Sequence, residues 1–458
     1  MRGRLATRAG VLEAETPVGQ RGHTNHKVGS GQVQRRRFLG LSAAGAATAA
    51  MAPALTSCSG SGSDSGKVTL KLVAADYGDS AANTSQKYWD RLAVAFEADH
   101  KDITLDVKVL SWTEVDRRVA EMVKDGDAPD LAQIGAYADY AAAGKLYRAD
   151  QLLSIPTQAS FISSVARAGE VRRVQYGLPF VSSARLLFYN EKLFTAAGIS
   201  SPPESWDELK AAAVKLKSAG VKIPYGLPLG PEEAPAETMM WMLSGGGGYT
   251  DANGAYTIDS VENIKTFEWL RDELVGTGLT GAGSPGRTNR QDVFDAFVRG
   301  EVGMLNGHPT LMKQAEEGGV RFGTAPLPGV NGKSKSTMGV ADWMMAFNQN
   351  GKRREIGAFL DFVYTKKNVL DFTGQYDLLP VTTDASEAMR ADEDFKPVWE
   401  FLDELESAEF YPADKTSWAT VSKSIKQKIG TVVAKGADPA SILGELQREA
   451  DTTENAKR

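Results

Sequence analysis

Cysteine is nearly absent from this chain. Of 458 residues only Cys58 is a thiol, and of four histidines only His100 and His308 follow it. One cysteine cannot form an internal disulfide. A zinc site takes three or four His, Cys or carboxylate ligands, and no HExxH or paired-histidine spacing occurs. The residues therefore call for no metal and no cofactor. Basic excess is also lacking. The formal charge is −6, which offers no electrostatic footprint for a nucleic-acid partner. Long apolar runs are missing after Cys58, so no bilayer-crossing helix is expected there.

The charge that is present is unevenly placed. Eight of the 52 Lys and Arg but only two of the 58 Asp and Glu precede Cys58, so the remainder carries −12. The basic segment ends in RRRFLGLSAAGAATAAMAPALTSC, Arg35–Cys58. Adjacent arginines, a short Ala/Gly-rich apolar run and LTSC resemble a twin-arginine export signal ending in a lipoprotein box. Residues 1–57 are accordingly read as a signal peptide, with Cys58 as the lipidated first residue of the mature chain. Residues 58–66, rich in Ser and Gly, make a flexible tether. The competing reading of the apolar run is a buried Ala-rich helix.

Beyond the tether, strand and helix periods alternate. Val68, Leu70 and Leu72 alternate as in a strand, and Trp89, Leu92, Ala93 and Phe96 share a helix face. Ile103, Leu105, Val107 and Val109 alternate again, a second helix closes at Gly126 and Pro129, and PDLAQIG gives a short strand. This order predicts a parallel sheet with helical crossovers. Ser205 with Glu208 forms a capping box ahead of a helix carrying Trp206, Leu209, Ala213 and Leu216, which Gly220 ends. Two further helices are predicted, one with Ile264, Phe267, Leu270 and Leu274 on one side and one with Ile356, Phe359, Leu360 and Val363. The polar segment 450–458 is expected to fray.

Two catalytic-looking motifs fail. NGKS, Asn331–Ser334, lacks the glycine a phosphate loop needs, since Leu327 stands there; it reads as a surface hairpin or loop. GGGG, Gly245–Gly248, has no dinucleotide-binding spacing and reads as a turn or as a close approach of backbone to a ligand. No acid–base motif stands out, so an enzyme is not expected, although carboxylates are numerous enough to leave an exported glycoside hydrolase open.

An ordered series of segments remains. It comprises APDLAQIGAYADYAAAGKLYRADQLL, YGLPFVSSARLLFYNEKLFTAAG, WMLSGGGGYTDANGAYTIDS, DAFVRGEVGMLNGHP, APLPGVNGKSKSTMGVADWMMAF and LPVTTDA. Together they resemble family 1 extracellular solute-binding proteins, the receptors of carbohydrate ABC importers, over about Lys67–Glu449. The resemblance implies an α/β fold of two lobes, with hinge crossings and a ligand cleft between them. It places 67–182 and 304–340 in the first lobe and 183–303 and 341–449 in the second, with crossings near Val181–Arg185, Gly303–His308 and Thr337–Ala341. It also implies an extracytoplasmic receptor, expected to be a monomer, with a carbohydrate ligand and an ABC permease as partners, and the leader adds a membrane anchor through lipid on Cys58. A polyamine or a phosphate ester remains open as the ligand.

Sugar hydroxyls need directional donors and acceptors, and sugar C–H faces pack on aromatic rings. Residues of these kinds at positions that face the cleft in the family are the candidates. They are Asp76 and Tyr77 after the first strand, Tyr137 and Asp139 after LAQIG, and Trp241 with Gly245. Asn306 and His308 come from NGHP, and Asp342 and Trp343 interrupt an otherwise apolar strand. Tyr376 and Trp418 complete the set. Arg185 is the one charge at the first crossing, a hinge salt bridge or a ligand donor.

Overall fold

The computed structural model describes residues 67–78 and 81–457, which fall within the unit Asp64–Arg458. The signal peptide, Cys58 and the tether lie outside the described residues. Nine strands carry the architecture: β1 Val68–Ala75, β2 Ile103–Leu110, β3 Leu131–Ile134, β4 Leu178–Ser183, β5 Leu186–Asn190, β6 Ile223–Gly226, β7 Val302–Gly307, β8 Phe322–Ala325 and β9 Val340–Ala346. They form two sheets, in the orders β2-β1-β3-β9-β4 and β8-β5-β7-β6.

In the first sheet β1, β2 and β3 run parallel, joined by the helices Ser85–Asp99 and Val115–Lys124. The first helix buries Trp89, Leu92 and Phe96, as its periodicity predicts, and Trp89 stacks on Phe180 of β4. In the second sheet β6 and β7 run parallel while β5 and β8 oppose their neighbours. Helix Trp206–Ser218 buries Trp206, Leu209, Ala213 and Leu216 against this sheet's core, and Ser205 caps it by accepting from the Glu208 N–H.

Sheet membership departs from the expected lobe limits. Residues 304–340 were assigned to the first lobe, yet β7 and β8 both pair with β5 in the second sheet. β7 is not a crossing. Residues 341–449 were assigned to the second lobe, yet β9 sits inside the first sheet between β3 and β4. Its Met344 and Met345 point to opposite faces and are both fully buried, and only an interior strand covered on both sides can do this. Helix Arg353–Val363 follows β9 into the first core, where Phe359 meets Phe96 edge-on.

The chain therefore passes to the second sheet at Ala184–Arg185, returns through Thr337–Gly339, and leaves again beside it at Ala408–Tyr411. The last two segments exchange backbone hydrogen bonds, Gly339 N to Glu409 O and Glu409 N to Thr337 O. A Cβ on Gly339 would meet the Phe410 ring at 2.5 Å, so only glycine lets these segments run so close. The C-terminal helices Trp418–Lys428 and Pro439–Lys457 pack on the second core. The expected frayed tail is helix through Lys457, held where Lys415 and Ser417 bond Glu454. Of the two expectations for NGKS, hairpin or loop, the chain forms the hairpin, Gly329 pairing with Gly332.

Candidate functional site

The two sheets present corresponding edges to one cleft. In an open α/β sheet, loops at the carboxyl ends of parallel strands build the ligand site. In the first sheet those ends are followed by Asp76–Tyr77 after β1 and Trp112 after β2. β9 runs the other way, so its first residues reach the same edge, and Trp343 pairs with Ile134, the last residue of β3. In the second sheet the equivalent edge holds Glu232 and Glu233 after β6 and His308 after β7. Arg185 precedes the antiparallel β5, whose Leu186 pairs with Gly307. The cleft measures about 440 Å3 and is lined by Trp112, Asp342, Asp377 and Leu378 from one side and by Arg185, Glu232, Glu233, Arg290, His308 and Thr310 from the other. Small-molecule clefts typically run from about 300 to about 1,000 Å3.

Strand alternation sorts β9. Asp342 faces the cleft, whereas Trp343, the next residue, points to the opposite face and is 2% exposed. The pairing register of β9 with β4 shifts between these two residues. Asp342 Oδ2 accepts the Tyr77 hydroxyl at 2.8 Å, and that hydroxyl accepts from Gln133 Nε2 at 2.9 Å. Gln133 in turn accepts the Ala75 N–H at 3.1 Å, so the chain ends on the backbone of β1. Burial pushes the Asp342 carboxyl up to about 6; the Tyr77 hydrogen bond opposes that rise and Asp116 adds to it. Burial likewise raises Asp116, against one hydrogen bond from the Gly135 backbone. Tyr77 meets Trp112 edge-on at 5.4 Å, and Trp112 is 38% exposed.

The facing wall is a ladder of alternating charge. Arg185, 5% exposed, donates to Glu233 Oε1 and Ser183 Oγ at 3.0 Å each. Arg290 pairs with Glu233 and with Glu232, the latter at 2.7 Å. Arg290 begins the helix Arg290–Val298 and lies 4.9 Å over the Phe294 ring. Loop geometry fixes the glutamates, since the Glu232 N–H bonds Asn289 Oδ1 and the Gly230 N–H bonds Thr288 O. His308 shares a hydrogen bond of 2.8 Å with Thr310 Oγ1. Burial, then Arg185 and Arg290, hold its imidazole well below the usual range, so it is neutral at pH 7. Beneath this wall Glu237 is 3% exposed and accepts from Trp241 Nε1 and Asn306 Nδ2 at 2.8 and 3.1 Å. Burial pushes it up to about 8, with Glu233 adding to the rise and those two hydrogen bonds opposing it.

Of the sequence candidates, Arg185, His308 and Asp342 line the cleft, and Tyr77 bonds Asp342. The others lie elsewhere, each for a visible reason. Asp76 accepts from the Ser85 and Gly78 N–H groups and from Thr84 Oγ1, bracing the start of a helix. Burial would raise its carboxyl, but those hydrogen bonds outweigh it and hold the pKa low. Tyr137 is buried, donates to Ala168 O and packs on Trp343. Asp139 is exposed and pairs with Lys457. Trp241 is buried against Trp206 and Tyr225. Gly245 ends a helix, where a Cβ would meet Thr266 at 2.1 Å. Asn306 lies one layer below the cleft on Glu237. Tyr376 packs on Phe372 and donates to Asn83 O. Trp418 packs between Tyr249 and Tyr411.

Sequence reasoning missed Trp112, Glu232, Glu233, Arg290 and Asp377. All but Asp377 and Arg290 follow parallel strands, a signal that was available. Asp377 holds a left-handed backbone, φ 53°, at the cleft margin, a conformation Asp tolerates better than most residues.

A family model of bacterial extracellular solute-binding proteins matches residues 80–369. A Brucella abortus protein described as a binding protein is 28% identical over 402 residues, 85% of this chain and 94% of that one. The sn-glycerol-3-phosphate-binding periplasmic protein of Salmonella typhimurium is 23% identical over 254 residues, 53% of this chain and 56% of its own. Among solved structures, the cyclic alpha-maltosyl-1,6-maltose binding protein from Arthrobacter globiformis matches with a TM-score of 0.73. The match covers 85% of this chain and 100% of that one at 18% identity, a likeness of fold.

Proposed function

The chain belongs to the bacterial extracellular solute-binding proteins, and we propose that it captures a carbohydrate between its two sheets and hands it to an ABC permease. The observation that carries this reading is the composition of the cleft. Carboxylates, guanidiniums and a neutral imidazole offer both acceptors and donors, and Trp112 offers an apolar face. A polyhydroxylated ligand needs that mixture and no metal. The fold shared with a maltosyl-maltose-binding protein supports it. The sequence before residue 67 supports an exported receptor tethered through lipid on Cys58. Closure of the lobes about the hinge would present a changed surface to the permease.

A phosphate ester is the competing ligand, favoured by Arg185 and Arg290 in the cleft and by the glycerol-phosphate-binding relative. Both guanidiniums are already engaged by Glu232 and Glu233, which weighs against a further anion. Thermal shift and calorimetry with neutral mono- and oligosaccharides and with glycerol 3-phosphate test the choice, because binding to the folded state alone raises the melting temperature. Stabilisation by glycerol 3-phosphate and by no sugar refutes the carbohydrate reading.

A further inference from the structure

The two walls of the cleft differ in how their charges are compensated. On the second-sheet wall each carboxylate has a cation: Arg185 bonds Glu233, and Arg290 pairs with Glu232 and Glu233. On the first-sheet wall none has. Among the described residues Asp342 and Asp377 pair with no Lys, Arg or His, and neither does Asp116 beside Asp342. Among the described residues the only hydrogen-bond partner of the Asp342 carboxylate is a neutral phenol, Tyr77 Oη, at 2.8 Å. Four carboxylates and two guanidiniums line the cavity, and both guanidiniums belong to the opposite wall. His308 cannot supply the missing charge, being enclosed beside two guanidiniums and hydrogen-bonded to Thr310.

A half-buried carboxylate without a cation is costly, and closing the cleft over a ligand makes it more so. A neutral polyol would give Asp342 hydrogen bonds but leave its charge uncompensated. An anionic ligand would add to the repulsion. A protonated amine supplies both the hydrogen bonds and the charge. Trp112, packed edge-on against Tyr77 beside Asp342, adds an aromatic face that attracts a cation. We propose that the solute carries a protonated amino group seated against Asp342 and Trp112, and that the preferred ligand is an amino sugar or an oligosaccharide containing one. This rests on the carbohydrate reading for the sugar part, and on the wall asymmetry alone for the amine.

The test compares matched ligands near pH 7 by calorimetry on the full chain. The probes are glucosamine oligosaccharides, their N-acetylated counterparts, malto-oligosaccharides of equal length, and spermidine. The amine oligosaccharides should bind at least tenfold more tightly than the N-acetylated ones, and Asp342→Asn should abolish that preference. Asp377→Asn, at the cleft margin, should narrow it and serves if the first variant folds poorly. Equal or tighter binding of N-acetylated or malto-oligosaccharides overturns the amine assignment while leaving the carbohydrate reading standing. Spermidine binding without any sugar does the reverse. No binding of any amine-bearing probe overturns the proposal.

Discussion

Replacing Asp342 with asparagine should stabilise the ligand-free protein while weakening ligand binding. The carboxyl titrates at about 6 in the folded chain and from about 3.8 unfolded. Between those values the folded state holds the proton more tightly, so wild-type stability falls as pH rises through that window. Above it the full cost remains. At 1.36 kcal/mol per pKa unit that cost is about 3 kcal/mol at pH 7. Asparagine keeps an oxygen for the Tyr77 hydroxyl but carries no charge, so the variant should gain about that amount at pH 7 and only about 0.6 kcal/mol near pH 4. With roughly 390 folded residues and about 2.1 cal/mol/K of unfolding entropy per residue, the gain corresponds to about 4 °C in Tm. Scanning calorimetry on ligand-free wild type and variant at pH 4, 5.5 and 7 measures it. An Asp342→Asn protein that melts lower at pH 7, or whose difference from wild type does not change with pH, would refute the idea that this charge is held at a cost to folding.

Glu237 titrates at about 8, against 4.5 for the free side chain. The wild type should therefore lose stability from about pH 4.5 to about pH 8. Glu237→Gln should remove that slope in denaturant titrations at stepped pH, and a slope unchanged by the substitution would contradict the burial argument. Trp112→Ala should leave the unfolding free energy from urea titration within about 1 kcal/mol of wild type, as for a partly exposed side chain off the core. The same change should weaken binding of the cognate solute several-fold by calorimetry. Trp343→Ala should behave oppositely, costing about 3–5 kcal/mol through a cavity behind the first sheet. Trp343 packs between Tyr137 and two glycine backbones, so its loss should appear in the unfolding midpoint before it appears in affinity.

Local periodicity carried most of the elements. β1, β2 and the helices through Trp89 and Trp206 follow from alternation and i, i+3, i+4 spacing, because the residues at those spacings are the ones that pack into the two cores. What periodicity could not carry was partnership between distant segments. β9 inserts between β3 and β4, two strands formed much earlier in the chain, and no local pattern states that choice. Its apolar residues on both faces announce an interior strand, but not which of the two sheets holds it. The site divides in the same way. Arg185 was expected to need a carboxylate partner, and Glu233 meets that need at 3.0 Å, but two glutamates in an acidic chain do not stand out as that partner. Asp342 and Trp343 were read together because they are adjacent, although adjacency in a strand separates side chains to opposite faces. Applied there, the period of two assigns one to the cleft and the other to the core. The cleft residues that went unnoticed, Trp112 and the Glu232–Glu233 pair, occupy loops that follow parallel strands, as Tyr77 does after β1. In this fold the more informative sequence signal is a polar or aromatic residue at the carboxyl end of each parallel strand, rather than an aromatic residue beside a charge.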